Sequence, residues 1–440
     1  MFERKLYKKM LEWKEQSQGK TALLVEGARR VGKSTLVKEF AAREYKSFIF
    51  IDFSVAPKEV KGLFEDISDL NFLFLQLQAR YGVDLYPRDS VIVFDEVQLC
   101  PLARQAIKAL VADARYDYIE TGSLISIRKN VKDILIPSEE TKLKLFPMDF
   151  EEFMLAVGKG ASVNLLKKFY EQKLPLGAAH SSMLRDFRLY MLVGGMPQAV
   201  VEYVESNNFR RVDVVKRGIL ELYNDDFMKI DPTGKLSKLF NAIPAELNRN
   251  ASRYQVSSVL HGANADSLLE QFAQMQDSAT VLFSYNANDL NVGLPAAFDL
   301  RKFKLFMCDT GLFVTQMFKD KDSTENDLYL KLLSDKLATN LGYLYENVVA
   351  QTLAAKGDKL FYHVMKIAES HFYEIDFLLA RGNKLCPLEV KSSNRLQHKS
   401  LDVFAQKYSS RIASQYLLYT KDLQKQQNVC CLPIYMTHLL

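Results

Sequence analysis

The chain lacks long apolar stretches and has few cysteines. None of its hydrophobic runs approaches the ~18 residues that a membrane-spanning helix needs, and residues 1–10 carry too much charge for a secretory signal. The 5 cysteines form no CxxC pair and no metal-ligand spacing, which is typical of reduced thiols. These absences exclude a disulfide-stapled secreted domain. We expect a cytoplasmic protein without a membrane partner.

Charge of one sign is also scarce, because 440 residues carry a formal net charge of only +5. A solvated surface explains that excess as well as a nucleic-acid-binding surface does. The charge is therefore compatible with DNA or RNA without indicating either. The length suggests two to four domains, and changes of pattern along the chain place them at residues 1–155, 156–300 and 301–440.

One motif dominates the chain, since residues 27–34 match GxxxxGK[ST], the phosphate-binding loop of nucleoside triphosphatases. A strand-like segment precedes it at 21–26 and a helical one follows at 36–42. Such a loop surrounds a triphosphate with backbone N–H groups and a helix N-terminus. Lys33 would reach the β- and γ-phosphates, and the Ser34 hydroxyl would be a ligand of Mg²⁺. The candidate ATP-binding residues of this loop are Gly27, Arg30, Gly32, Lys33, Ser34 and Thr35.

A second acidic motif fits the first. Residues 90–96 form an apolar strand that ends in Asp95 and Glu96, as a Walker B strand does. We expect Asp95 to hold Mg²⁺ beside the nucleotide and Glu96 to orient and polarise the attacking water. Thr121, at the tip of the next strand, is a candidate sensor of the γ-phosphate, although a residue there could equally cap the helix predicted at 124–130.

The strand pattern predicts the fold class of the first domain. Further apolar strands lie at 47–53, 116–120 and 142–146, with helical segments between them. Strands that alternate with helices predict an α/β domain with a parallel, helix-covered sheet, and a ligand at the carboxyl ends of its strands.

Four runs carry a family resemblance: GARRVGKST, VIVFDEVQ, the Thr121-Gly122-Ser123 tip and LFPMDFEEF. Together they resemble the bacterial and archaeal AAA-type ATPases with an AAA_14-like P-loop domain and a C-terminal DUF4143-type domain. The resemblance covers nearly the whole chain and implies an AAA-like nucleotide domain that binds ATP and Mg²⁺. An arginine finger would come from a neighbouring domain or from another subunit of a homo-oligomer, and the candidates are Arg104, Arg115 and Arg128.

The middle region has helical patterns. A Gly194-Gly195-Met196-Pro197 break separates two of the helices, and a tight helix–helix turn is our preferred interpretation. Helices at 235–247, 254–260 and 265–278, followed by a strand at 279–285, have the order of a winged helix, which the family resemblance also implies. Because residues 265–271 contain no Lys or Arg, we expect a packing or protein-contact role rather than DNA reading.

The third domain combines acids with a lysine. Side chains alternate along a strand, so Glu389 and Lys391 on the strand predicted at 384–391 point to one face. If the strand at 373–379 pairs beside it, Asp376 joins them, and Glu346 approaches from the helix predicted at 341–355. Carboxylates grouped in this way can bind Mg²⁺, whose bound water is a stronger acid than bulk water.

This constellation resembles the PD-(D/E)xK nuclease fold, an α/β restriction-endonuclease-like domain, with Ile375 where the motif has proline. The resemblance implies Asp376, Glu389 and Lys391 as catalytic residues and Glu346, Asp376 and Glu389 as metal ligands. The alternative is an ion pair between Glu389 and Lys391 on an exposed strand.

The sequence therefore predicts an ATP-binding protein and Mg²⁺-dependent ATPase whose nuclease-like module acts on or binds nucleic acid. The alternative is a nucleotide-dependent switch or scaffold, in which the nuclease-like domain is catalytically silent and binds a protein partner.

Overall fold

The structure is a computed structural model. It describes residues 2–123, 138–249, 252–290, 293–294, 298–319, 326–334, 342–368, 371–393, 396–426 and 428–440. The chain divides into two compact units, residues 1–146 with 277–279, and residues 147–276 with 280–440. Among the described residues, no helix has the length and apolar character needed to cross a membrane.

The first unit is built on a parallel sheet in the order β2-β3-β4-β1-β5. Its strands are β1 (Ala22–Glu26), β2 (Ser47–Asp52), β3 (Ser90–Asp95), β4 (Asp117–Gly122) and β5 (Glu140–Lys144). Its helices are α1 (Leu6–Ser17), α2 (Lys33–Glu44), α3 (Lys58–Gly62), α4 (Leu70–Tyr81) and α5 (Pro101–Asp113). The predicted parallel, helix-covered sheet is confirmed.

The central strands of this sheet are buried along their whole length. Every residue of β1, β3 and β4 is buried, which explains why their sequences are nearly continuous apolar runs. Because parallel strands end at one edge, β1 and β3 deliver residues 27–34 and Asp95 to the same side of the sheet.

The second unit begins with helices. These are α6 (Phe150–Ala156), α7 (Gly160–Gln172), α8 (His180–Val193), α9 (Pro197–Ser206), α10 (Phe209–Ile230), α11 (Lys235–Asn241), α12 (Ile243–Asn248), α13 (Val256–Val259) and α14 (Leu269–Asp277). The start of α6 explains the family run DFEEF. Asp149 accepts a hydrogen bond from the Glu152 backbone N–H at 3.0 Å, and the Glu152 carboxylate accepts one from Asp149 N–H at 3.2 Å, which is a capping box.

Two mixed sheets follow. One has the order β7-β6-β8-β9 and the other β10-β11-β12-β14-β13. The strands are β6 (Val281–Ala287), β7 (Phe298–Met307), β8 (Leu360–Ala368), β9 (His371–Ile375), β10 (Phe377–Arg381), β11 (Lys384–Val390), β12 (Gln415–Tyr419), β13 (Gln424–Gln426) and β14 (Val429–Pro433). The accompanying helices are α15 (Thr310–Met317), α16 (Asn326–Leu333), α17 (Gly342–Ala355) and α18 (Lys399–Tyr408).

Several expectations for this unit need correction. The strand predicted at 373–379 is two strands, β9 and β10, which belong to different sheets, and Asp376 lies at the break. The helix predicted at 235–247 is interrupted, because Pro244 stands in the first turn of α12. The hairpin of β6 and β7 does follow three helical segments, but β6 also pairs in parallel with β8, so the hairpin continues into a larger sheet.

The Gly194-Gly195 turn joins α8 to α9 as predicted. Gly195 in this turn and Gly311 on α15 both allow a close backbone contact that a side chain would block. A Cβ on Gly195 would lie 2.0 Å from the Met148 carbonyl oxygen, and one on Gly311 would lie 2.4 Å from the Val193 carbonyl oxygen. Asp309 fixes this contact, because its carboxylate accepts hydrogen bonds from Gly195 N–H at 2.5 Å and from Leu312 N–H at 2.8 Å. Asp309 is thus also the N-cap of the helix that begins at Thr310.

A buried ammonium crosslinks the helices of the second unit. Lys216 on α10 is fully buried and donates to the carbonyls of Leu192 (2.7 Å) and Gly311 (3.2 Å) and to the Tyr329 hydroxyl (3.0 Å). Burial lowers the pKa of Lys216 to about 8, although the Asp213 carboxylate opposes this shift. Asp213, also fully buried, accepts from Tyr329 at 2.9 Å and pairs with Arg217 at 2.7 Å.

We predict that Asp213→Asn lowers the free energy of unfolding by about 3–5 kcal/mol, because it removes the carboxylate that most stabilises the buried Lys216 ammonium and that pairs with Arg217. Chemical denaturation measures the change. Asp226→Asn is the matched control on the same helix, since Asp226 pairs with the largely exposed Lys229, and it should change stability by about 0–1 kcal/mol. Equal effects of the two substitutions would contradict the role given to Lys216.

Candidate functional site

The phosphate-loop residues form a tight connection between β1 and α2. Three of its residues have positive φ: Gly27 (157°), Arg30 (70°) and Gly32 (93°). A Cβ on Gly27 would lie 2.3 Å from the Leu145 carbonyl oxygen, so the end of β5 leaves room only for glycine there. Arg4 supports the loop from the side and was not anticipated; it donates to the carbonyl oxygens of Val31 (3.0 Å) and Phe146 (2.6 Å).

Lys33 turns back into this loop. It is 6 % exposed, and its ammonium donates to the carbonyl oxygens of Gly27 and Ala28, both at 3.0 Å. Burial lowers the pKa of Lys33, while the carboxylates of Glu96 and Asp95 act in the opposite direction. A largely buried ammonium whose hydrogen bonds go to neutral carbonyl oxygens suits an incoming anion. The residues present therefore fit a nucleotide phosphate.

The two candidate Mg²⁺ ligands of this unit lie together. The Ser34 hydroxyl is hydrogen-bonded to the Asp95 carboxylate, and the Thr121 hydroxyl also donates to Asp95. Burial raises the pKa of Asp95, and these two hydrogen bonds oppose that rise. Hydroxyl and carboxylate oxygens suit Mg²⁺, so Ser34 and Asp95 would hold the ion. The helix that Thr121 could have capped lies outside the described residues.

Glu96 has an unusual backbone conformation. Its φ of 54° and ψ of 47° are left-handed, which costs about 1–2 kcal/mol for a residue with a side chain. Gln98 donates to the Glu96 carboxylate, and Glu96 N–H donates to the Thr121 hydroxyl at 3.3 Å. Strain of this kind concentrates at functional sites. Gln98 belongs to the VIVFDEVQ run, but sequence pattern alone predicts no role for it.

The remaining nucleotide-binding and arginine-finger candidates lie in different environments. Thr35 is exposed at the start of α2, and Arg30 is exposed on the loop. Arg104 is wrong as an arginine finger, because it is 2 % exposed and pairs with Glu140 at 3.0 Å and Glu120 at 3.4 Å. Arg115 is occupied by Asp113 and Asn71, each at 2.7 Å. Arg128 lies outside the described residues.

The nuclease-like residues of the second unit do come together. Asp376 follows β9, and its carboxylate accepts from Val390 N–H at 2.7 Å, which places it at the end of β11. The Lys391 ammonium lies 2.6 Å from Glu389 Oε1. Lys391 is about one-third exposed and Glu389 is buried.

Two residues that the sequence analysis missed complete this group. Lys304 on β7 contacts the Glu374 carboxylate on β9 and lies 3.4 Å from Glu346 Oε2 on α17. Burial raises the pKa of Asp376 well above its usual range, and the nearby Glu346 carboxylate is the second cause of this rise. We call Glu346, Glu374, Asp376 and Glu389 the acidic cluster.

The acidic cluster does not fit a divalent ion as it is arranged. Among the residues that the structure describes, no three His, Cys, Asp or Glu side chains are grouped so that they could hold a metal. The Lys304 ammonium forms ion pairs with Glu346 and Glu374, and the Lys391 ammonium forms an ion pair with one oxygen of Glu389. Glu389 Oε2 is left buried without a hydrogen-bond partner.

Comparisons with known proteins match three separate stretches of the chain to family models. The family model "AAA domain" (AAA_14) matches residues 19–154, and domains of unknown function match residues 184–323 (DUF8612) and 341–436 (DUF4143). An uncharacterized protein of Haemophilus influenzae is 20% identical over 355 residues, covering 77% of this chain and 80% of the relative.

Solved structures also match at low identity. The RuvB Holliday junction branch migration motor of Thermotoga maritima is 16% identical, with a TM-score of 0.29, covering 64% of this chain and 89% of RuvB. The ORC1 protein of Aeropyrum pernix, solved in complex with DNA, is 10% identical, with a TM-score of 0.28, covering 76% and 93%. The family matches therefore give the chain an AAA_14 P-loop domain at residues 19–154 and a DUF4143 domain at residues 341–436.

Proposed function

We propose that the protein binds ATP and hydrolyses it in a Mg²⁺-dependent reaction. The observation that carries this proposal is the hydrogen bond between Ser34 and Asp95, which lies beside the buried Lys33. Glu96, the residue after Asp95, adds a second carboxylate near Lys33. One end of the sheet thus supplies a phosphate-binding ammonium, two oxygen ligands and a carboxylate base. Mg²⁺, when bound, would neutralise negative charge on the phosphate oxygens.

Each protein group has a defined task in this reaction. Lys33 exchanges its carbonyl partners for phosphate oxygens, which is favourable because a charged acceptor makes the stronger hydrogen bond. Glu96 accepts a proton from the attacking water at its carboxylate, and Gln98 holds that carboxylate in place. Thr121 contacts both Asp95 and the Glu96 backbone, so it is placed to link nucleotide state to the position of the base.

We predict that Lys33→Ala lowers ATP turnover by at least about 10²-fold, because it removes the ammonium that stabilises phosphate charge. Steady-state hydrolysis and nucleotide binding measure the effect. Lys38→Ala is the matched control, since Lys38 is exposed on the same helix, and it should leave both unchanged. Normal turnover in folded Lys33→Ala protein would refute the assignment.

We predict that Glu96→Gln keeps nucleotide affinity and lowers turnover by about 10²–10⁴-fold, since the amide cannot accept the proton but leaves Ser34 and Asp95 intact. Binding of a fluorescent ATP analogue and single-turnover hydrolysis separate the two effects. If affinity and turnover fall together, Glu96 holds the nucleotide and is not the base.

For the DUF4143 domain we propose the binding role over the nuclease role. The predicted phosphodiesterase centre at Asp376, Glu389 and Lys391, approached by Glu346, requires Mg²⁺. Two ammonium groups already pair with three of the four carboxylates of the acidic cluster. A nuclease-like fold without its metal retains a surface for a partner, as expected when fold and chemistry are separable. This supports a nucleotide-dependent switch or scaffold.

We predict that the full-length wild-type protein with ATP and Mg²⁺ leaves single- and double-stranded DNA and RNA uncut. Gel electrophoresis of end-labelled oligonucleotides checks this, with Asp376→Asn as the matched control for contaminating nucleases. Cleavage that wild type shows and Asp376→Asn lacks would restore the nuclease role.

A further inference from the structure

We propose that the Lys304 ammonium is the resident cation of the acidic cluster and excludes divalent metal ions from it. The inference rests on the binding role proposed for the DUF4143 domain and adds the residue that keeps the nuclease-like site closed. It concerns a lysine that lies outside the residues 341–436 matched by DUF4143, on a strand within the preceding match at 184–323.

The contacts of Lys304 are those of a structural cation. Its side chain is 8% exposed, it contacts Glu374, and it lies 3.4 Å from Glu346 Oε2. The Tyr362 ring lies 5.6 Å from its nitrogen, which adds a favourable aromatic face. Strand β7 and helix α17 therefore meet through one ammonium held between carboxylates.

Electrostatics keep the ammonium charged. Burial alone would lower the pKa of Lys304, but the carboxylates of Glu346, Glu374 and Asp376 raise it above the ordinary value. Lys216, which is also buried in this unit, has its pKa lowered to about 8. The difference follows from the partners, since Lys216 donates chiefly to neutral oxygens and Lys304 to carboxylates.

The same place is where a divalent ion would be expected. Asp376 and Glu389 occupy the nuclease-like positions at the carboxyl end of β11, and Glu389 Oε2 remains buried without a hydrogen-bond partner. A buried carboxylate oxygen without a partner can coordinate a cation. Until a cation or a hydrogen-bond donor reaches it, such an acceptor destabilises the folded state. The adjacent ammonium groups repel any such cation.

Removing Lys304 should reverse the preference. Four acids would then face the single ammonium of Lys391, and their mutual repulsion would be relieved by binding a cation. Lys304→Met keeps an unbranched side chain, one atom shorter, and removes the ammonium group with its charge and its hydrogen-bond donors. Lys302→Met is the matched control, because Lys302 lies on the same strand, is half exposed and pairs with Asp299 at 3.5 Å.

The experiment is a titration of full-length, nucleotide-free protein with Mn²⁺, followed by electron paramagnetic resonance. We expect Lys304→Met to gain one Mn²⁺ site at least tenfold tighter than any in wild type or Lys302→Met. That site should disappear in the Lys304→Met/Asp376→Asn double variant. Lys304→Met protein that binds ATP normally but gains no site, or wild type that binds Mn²⁺ and loses it on Asp376→Asn, would overturn the proposal.

A second measurement covers a variant that folds poorly. Because a ligand that binds only the folded state raises its melting temperature, Mn²⁺ should raise the melting temperature of Lys304→Met by several degrees and leave wild type unchanged. Failure of Mn²⁺ to raise the melting temperature of this variant would also overturn the inference. Cleavage of nucleic acid by wild type tests the binding role of the domain and is decided separately from these metal titrations.

Discussion

The first unit depends on the parallel pairing of β1 with β5. That pairing brings the Leu145 carbonyl oxygen so close to residue 27 that only glycine fits. The Leu145 N–H also donates to the Glu26 carbonyl oxygen at 2.7 Å, immediately before the loop. The end of a sheet strand, rather than the loop sequence alone, therefore sets the path along which the phosphate-loop backbone turns into α2.

The second unit depends on buried ammonium groups in an analogous way. Lys216 crosslinks α8, α10, α15 and α16 through carbonyls and a tyrosine hydroxyl, and Lys304 joins β7 to β9 and α17 through carboxylates. Removing one partner of such a pair costs far more than the pair gains, because it leaves a charge buried. These lysines therefore specify which elements pack together more than they add to net stability.

The sequence predicted what is local or strongly patterned. The strands at 21–26, 47–53 and 90–96 were predicted within one residue, because parallel strands buried on both faces are continuous apolar runs. The edge strand β5 was predicted two residues late, because Glu140 and Thr141 give it a polar start. The grouping of Asp376, Glu389 and Lys391 can also be predicted from the sequence, because it needs only the alternation of side chains along one strand and the pairing of that strand with its neighbour.

What escaped prediction depends on contacts distant in the chain. The apolar alternation of residues 373–379 continues through the break at Asp376, so nothing local shows that two sheets share the segment. Lys304 stands in a stretch with Arg301 and Lys302, which are exposed, and its partners follow 42 and 70 residues later. A local signal in the sequence is its position inside the otherwise apolar run from Phe303 to Met307.

The two sets of acids differ in what already neutralises them. Asp95 is held by the hydroxyls of Ser34 and Thr121, which are neutral donors, while Lys33 is engaged by backbone carbonyls. The acidic cluster has two lysines in direct contact with three of its carboxylates. Neutral donors can be exchanged for a metal ion without separating charges, whereas an ion pair in a half-buried site must be broken first. Carboxylates alone therefore do not identify a metal centre in this chain. The charge of their existing partners distinguishes the site suited to nucleotide and Mg²⁺ from the one suited to holding two structural elements together.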